Sequence, residues 1–208
     1  MKYDVIIVAS GKGLRAGLGY NKVFYRMKDG KRVIDHSLEL FGNDEDCERI
    51  IVVTNEEFID ELKDENVILV KGGKERKDSV RNGLDKATSE YVFIHDGARP
   101  FLRKESLEAL KEKVVETDAA LLGRMAFDTI KEVKDGKVVR TLDRRNIFLA
   151  ETPQAFKTTL IKECFEKCED IVFTDDASLV ESLGYEVSIV IDEYDNRKLT
   201  SSEDFRDL

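Results

Sequence analysis

The 208-residue chain is long enough for one well-buried α/β core, and its length suggests one domain rather than two. A formal net charge of −9 argues against a protein that coats nucleic acid, which needs a basic face to replace counterions, but leaves room for a small anionic substrate in a locally basic cleft. No apolar stretch approaches the ~20 residues of a membrane span and no basic leader precedes the first apolar run, so a cytoplasmic protein is expected.

In chain order, the first expected strand is Val5 to Ala9, short, rich in Val and Ile, and followed by "SGKGLRAGLGYNK". A helix is expected over "KRVIDHSLELF", where Val33, Ser37, Leu38 and Phe41 recur at helical spacing. Strands follow at Arg49 to Thr54 and Val67 to Val70, then the loop "KGGKE" and a helix over "RKDSVRNGLDKA" carrying Val80, Leu84 and Ala87. Tyr91 to His95 reads as a buried strand leading into "DGARPF"; "RKESLEALKEKVVE" is a helix with Leu107, Leu110 and Val114 on one face; Ala119 to Leu122 is a further strand. Phe127 to Phe156 breaks this alternation. It reads as a hairpin, with strands over roughly Thr129 to Val133 and Lys137 to Leu142 and a turn at Lys134, Asp135 and Gly136.

This order implies a Rossmann-like, mainly parallel sheet flanked by helices, with right-handed crossovers, in a single domain over 1–208 whose hairpin arm spans about 127–148. The arm cannot bury a face alone and rests either on its own domain or on a second copy of the chain. Ligands of such sheets bind beyond the carboxyl ends of the strands, where three charged, glycine-bearing loops are expected to converge. Cys47, Cys164 and Cys168 lack paired metal-ligand spacing and are expected to be ordinary thiols. The 37% charged fraction, against about 25% on average, and the single glutamine, Gln154, resemble a thermophile's composition.

Gly11, Gly13 and Ala16 satisfy the permissive dinucleotide pattern, and Asp29 and Asp35 lie downstream. A dinucleotide loop, however, neutralises its pyrophosphate with backbone N–H groups and a helix N-terminus, and Lys12, Arg15 and Lys22 exceed that need. A kinase-type loop fails because Lys12 is followed by Gly13 and Lys22 by Val23, not by Ser or Thr. There remains a loop that gives a polyphosphate close backbone approach and fixed cations.

"ASGKGLRAGLGYNK", "GGKERKDSV", "HDGARP", "DTIK", "DRRNIFLAETPQAF", "TDDAS" and "DNRKLT", in this order over nearly the whole chain, resemble the 2-C-methyl-D-erythritol 4-phosphate cytidylyltransferase family. Asn21 stands where that family usually carries Pro, and Gly97 where it often carries Ala. The resemblance implies transfer of a cytidylyl group from CTP to a methylerythritol phosphate with release of pyrophosphate. In that reading Arg15 and Lys22 stabilise the transition state, and Arg144 and Lys198 position the attacking phosphate. CTP is held by Ala9, Ser10, Gly11, Gly13, Gly73, Lys74, Ser79 and Gly97, and the acceptor by Asp96, Arg99, Thr129 and Thr152. Mg2+ or another divalent cation bridges the triphosphate, with Asp96 the nearest candidate ligand. Arg76 is expected to hold its loop, and His95 to be structural. The resemblance also implies a homodimer, in which Arg144 reaches the neighbouring site. Three alternatives stay open: a ribitol 5-phosphate cytidylyltransferase, an NAD-dependent oxidoreductase, and a catalytically silent nucleotide-binding homologue.

Overall fold

A computed structural model describes residues 1–11, 20–63, 66–167, 173–206 and 208. β1 (Tyr3–Val8) lies between β2 (Cys47–Thr54) and β4 (Tyr91–Asp96), parallel to both. Successive side chains of a strand point to opposite faces, so a parallel strand covered on both sides needs an unbroken apolar run, which "VIIV" supplies. Val5 and Ile7 join one core cluster, with Ile34 and Phe41 of α1 (Val33–Gly42) and Leu107, Leu110 and Val114 of α3 (Lys104–Thr117). Ile6 joins the other, with Val80 and Leu84 of α2 (Arg76–Leu84), Ile161 of α4 (Thr158–Lys167) and Leu179 of α5 (Asp176–Ser182).

With β3 (Ile68–Lys71), β5 (Ala119–Met125), β8 (Phe148–Lys157) and β9 (Ser188–Ile191), the sheet runs in the order β3-β2-β1-β4-β8-β5-β9. Every pairing is parallel except those of β8, which is antiparallel to both β4 and β5. The expected mainly parallel sheet is therefore present, and the expected strands and helices differ from the observed ones mostly at their ends. No helix among the described residues is long and apolar enough to cross a membrane.

The end of the expected hairpin segment needs correction. Phe148–Lys157 is a central sheet strand, buried from Glu151 to Phe156. Its sequence carries Pro153, which argues against an interior strand because proline cannot donate to the ladder. The structure resolves the conflict on both sides: the pairing with β4 stops at Gln154, and a register shift between Leu121 and Gly123 of β5 carries the other pairing past Pro153. The arm proper consists of β6 (Lys131–Lys134) and β7 (Lys137–Thr141), which pair with each other and are exposed at every residue. Asp135 at φ 50° and Gly136 at φ 73° join them, the positive-φ pair that a two-residue turn requires.

Candidate functional site

β1 and β4 are adjacent and in register from Tyr3–Tyr91 to Val8–Asp96, so the loops that follow them start side by side. The Gly97 N–H donates to Val8 C=O at 3.0 Å, and the Gly72 N–H to Thr54 C=O at 2.8 Å. A cavity of about 490 Å3 opens beyond these strand ends, lined by Ala9, Ser10, Gly11, Lys22, Gly73, Lys74, Ser79, Asp96 and Lys198 among others. Residues expected from three loops thus share one wall. Gly97 stays behind Ala98; a Cβ there would lie 3.2 Å from Ile7 Cγ2. Gly13 and Arg15 fall outside the described residues.

Two small devices set the cavity's shape. Ser79 Oγ accepts the Gly73 N–H at 3.0 Å and lies 2.9 Å from Ser10 Oγ, tying the loop after β3 to the loop after β1. Gly73 itself has no room for a side chain: a Cβ would lie 2.2 Å from that of Asp78. Asn21, buried, donates to Ala9 C=O at 2.5 Å and accepts the Val23 N–H at 3.3 Å, capping a 3-10 turn over Lys22–Phe24. Lys22 is therefore presented by a turn that is fastened to the end of β1.

The charges form an alternating row. Lys198 Nζ donates to Asp96 Oδ2 at 2.6 Å, Arg76 Nε approaches Asp96 Oδ1 at 3.4 Å, and Arg76 Nη2 donates to Asp176 Oδ2 at 2.8 Å. Burial alone would raise the Asp96 pKa, but Arg76 and Lys198 outweigh it and hold the carboxyl well below the usual carboxylate range. Burial raises that of Asp176, with Arg76 opposing. Burial would lower the pKa of Arg76, and its two carboxylates more than reverse this. Glu75 and Asp96 are the carboxylates lining this cavity, and the described residues contain no cluster of three His, Cys, Asp or Glu placed to hold a metal.

A second cavity, of about 1040 Å3, shares Lys198 with the first and is lined by Arg99, Arg124, Phe127, Glu151 and Arg197 among others. Arg99 donates to Asn196 C=O at 2.6 Å, and the Asn196 side chain donates to Thr152 C=O at 2.9 Å, which pins the loop bearing Lys198. The Thr152 hydroxyl accepts the Asp96 N–H at 3.0 Å and faces His95 Nδ1 at 3.2 Å. With that hydroxyl donating to Nδ1, the proton of His95 sits on Nε2, facing Arg99 C=O at 3.2 Å. Burial pushes the His95 pKa down to about 4, so the ring is neutral and structural. Thr129 and Arg144 are exposed at the base of the arm and line neither cavity; Arg144 bonds to Phe127 C=O.

Sequence reasoning missed the row's inner half. It gave Arg76 only a loop-holding part and passed over Asp176, because "TDDAS" offers two aspartates and only the fold separates them: Asp175 caps α5 while Asp176 is fully buried. His36 of α1 lies 3.3 Å from Asp29. Cys47 and Cys164 are unbridged, and burial, with Asp44 nearby, pushes the Cys47 thiol up to about 12; Cys168 lies outside the described residues.

The sequence model of the 2-C-methyl-D-erythritol 4-phosphate cytidylyltransferase family matches residues 3–207. The protein of that name from Bacillus licheniformis is 43% identical over 98% of this chain and 93% of its own. The crystal structure of 4-diphosphocytidyl-2C-methyl-D-erythritol synthase from Anaerococcus prevotii superposes with a TM-score of 0.87 at 30% identity, covering 98% of this chain and 92% of that one. The Francisella tularensis 2-C-methyl-D-erythritol 4-phosphate cytidylyltransferase gives 0.85 at 30% identity, covering 99% and 97%. These matches do not favour the ribitol, oxidoreductase or silent readings. With its strand-end loops gathered on one cavity and its length matched almost throughout, the chain belongs to the 2-C-methyl-D-erythritol 4-phosphate cytidylyltransferase family.

Proposed function

We infer that the enzyme joins CTP to 2-C-methyl-D-erythritol 4-phosphate, giving 4-diphosphocytidyl-2-C-methyl-D-erythritol and pyrophosphate in non-mevalonate isoprenoid biosynthesis. The observation that carries the reading is Lys198 in the wall between two cavities, beside an ionised Asp96. An α-phosphate bound on one side and an acceptor phosphate on the other would meet there. An oxygen of the acceptor phosphate forms a bond to the α-phosphorus while the bond from that phosphorus to the leaving pyrophosphate breaks. The nucleophile is already anionic, so no general base is needed. The protein must align two anions that repel each other and meet the charge that grows on the α-phosphate and leaving group.

Lys22, with Arg15, is assigned to that charge, and Lys198 to the acceptor phosphate. Backbone groups at Ala9–Gly11 and Gly73, near Ser79, would read the cytosine. The fit to a divalent cation is that of a one-carboxylate site: Mg2+ takes most of its ligands from phosphates and water, and Asp96 is the ionised oxygen donor at the wall. When bound, the ion would offset triphosphate charge and orient the phosphates. A second copy of the chain is proposed to bring Thr129 and Arg144 to the acceptor cavity. Their exposure, and that of Phe127 at 77%, Val133, Val138 and Val139 on the arm, supports this. The reaction is assigned to the cytoplasm.

The test measures pyrophosphate release from CTP with methylerythritol phosphate, with ribitol 5-phosphate and with no acceptor. Release that depends on methylerythritol phosphate supports the reading. Equal or faster release with ribitol phosphate, or none with either, rejects it.

A further inference from the structure

Asp176 is fully buried at the first position of α5, and a carboxylate there is unfavourable unless a cation pairs with it. Arg76 is that cation, through a 2.8 Å bond to Oδ2, while Oδ1 has no hydrogen-bond partner among the described residues. The same guanidinium reaches Asp96 Oδ1 at the longer distance of 3.4 Å, and Asp96 Oδ2 holds Lys198. The row is thus anchored at its buried end and loose at its open end, where the Lys198 side chain is 36% exposed. Asp176 lines neither the nucleotide cavity nor the one beyond Lys198.

We propose that Asp176 is a positioning residue: by fixing Arg76 it keeps a cation on Asp96 when Lys198 turns from that carboxylate to the acceptor phosphate. The proposal rests on the reading of Lys198 as the acceptor's cation. With Arg76 anchored, Asp96 shares its charge between two partners, and Lys198 can exchange one anion for another. Without the anchor, Lys198 is the side-chain cation held most firmly on Asp96, and the acceptor phosphate must break an intact ion pair. Arg76 and Asp96 also line the nucleotide cavity, but the groups assigned to CTP are Ala9–Gly11, Gly73 and Ser79, whereas the row ends on Lys198, which is assigned to the acceptor, so the larger effect falls on the acceptor.

Asp176→Asn keeps the side chain's size and removes its charge. Steady-state kinetics for both substrates, calorimetric CTP binding and thermal midpoints are compared for this variant, Arg76→Met, the double variant and Lys198→Met. Asp176→Asn is expected to lower kcat/KM for methylerythritol phosphate by about 10-fold or more, the scale on which supporting partners of a site act, while CTP affinity stays within about threefold. The charge-balanced double variant is expected to fold and to be no less active than Arg76→Met, because Asp176 acts through Arg76. Additive losses in the double variant, unchanged acceptor kinetics in Asp176→Asn, or an equal loss of CTP affinity would overturn the proposal. If Lys198→Met leaves the acceptor KM unchanged, the reading of Lys198 fails; if it raises that KM and Asp176→Asn does not, the positioning role alone fails.

Discussion

Lys22 stands on a short turn whose capping residue, Asn21, is bonded to the Ala9 carbonyl just past the end of β1. As a preorganised cation it should contribute about 3–4 kcal/mol to the transition state, so Lys22→Ala is expected to lower kcat on the order of 10²–10³-fold, measured by pyrophosphate release under saturating CTP. Asn21→Ala should cost ~1 kcal/mol as a lost cap, seen in urea unfolding. Asn21→Pro loses the same two bonds, but Asn21 already has φ −67°, the value a proline ring imposes, so part of that cost should be recovered by a less flexible unfolded chain. In the sequence Asn21 was only a departure from a pattern; its two bonds depend on where Ala9 and Val23 lie, which no local spacing encodes. His95 gives a pH dependence. With a folded pKa near 4 against 6.5 in the unfolded chain, the unfolded state binds more protons between those values. Stability should therefore fall as pH drops through that window, by about 3 kcal/mol in all. Urea titrations of the parent and of His95→Asn at several pH values check this, and a slope unaltered by the substitution would remove His95 as its source.

Among the elements, those with a strong period were legible: α3 from Leu107, Leu110 and Val114, β1 from its apolar run, the arm's turn from Asp135 and Gly136. β8 was not, because its pattern mixes Glu151, Pro153 and Gln154 with apolar residues, and its burial comes from the neighbours that close over it. Gln154 illustrates the point. It lies in the sheet yet donates to Asp175 at 2.7 Å and accepts the Ala177 N–H at 2.9 Å, so a polar residue becomes a brace for α5. The arm is separable from this core. Replacing 131–141 by a short glycine linker should leave the far-UV circular dichroism of the helices and the main sheet intact. It should also reduce turnover by at least ~10²-fold if Arg144 serves a second copy, with light scattering reporting a shift from dimer to monomer. A fully active variant would reject the shared site.

At the scale of the molecule, the charge-rich composition is not spread evenly. Lys111 of α3, 6% exposed, bonds to Asp44 at 3.1 Å, Asp46 at 2.7 Å and Glu108 at 3.0 Å, and the N-terminal amine lies 3.7 Å from Asp46. Burial would lower the Lys111 pKa, and the three carboxylates more than reverse it. This hub ties α3 to the segment between α1 and β2 and to the start of the chain. Lys111→Met keeps the aliphatic stem and strands the carboxylates, and should lower the unfolding free energy by about 2–3 kcal/mol in urea titrations. The thermophile-like composition carries its own expectation, an unfolding midpoint above the ordinary mesophile range. The converging loops were legible because strand order alone puts them on one edge. The row from Lys198 to Asp176 was not, because it joins residues about a hundred positions apart. The reversed direction of β8 has a last consequence. A parallel strand sends only the residues after it to the ligand edge, whereas β8 begins at that edge, opposite Met125. Whatever is spliced in front of β8 is thereby delivered to the reaction without passing through the core, so an arm can be lengthened or recast for a new acceptor while the hydrophobic interior keeps its sequence.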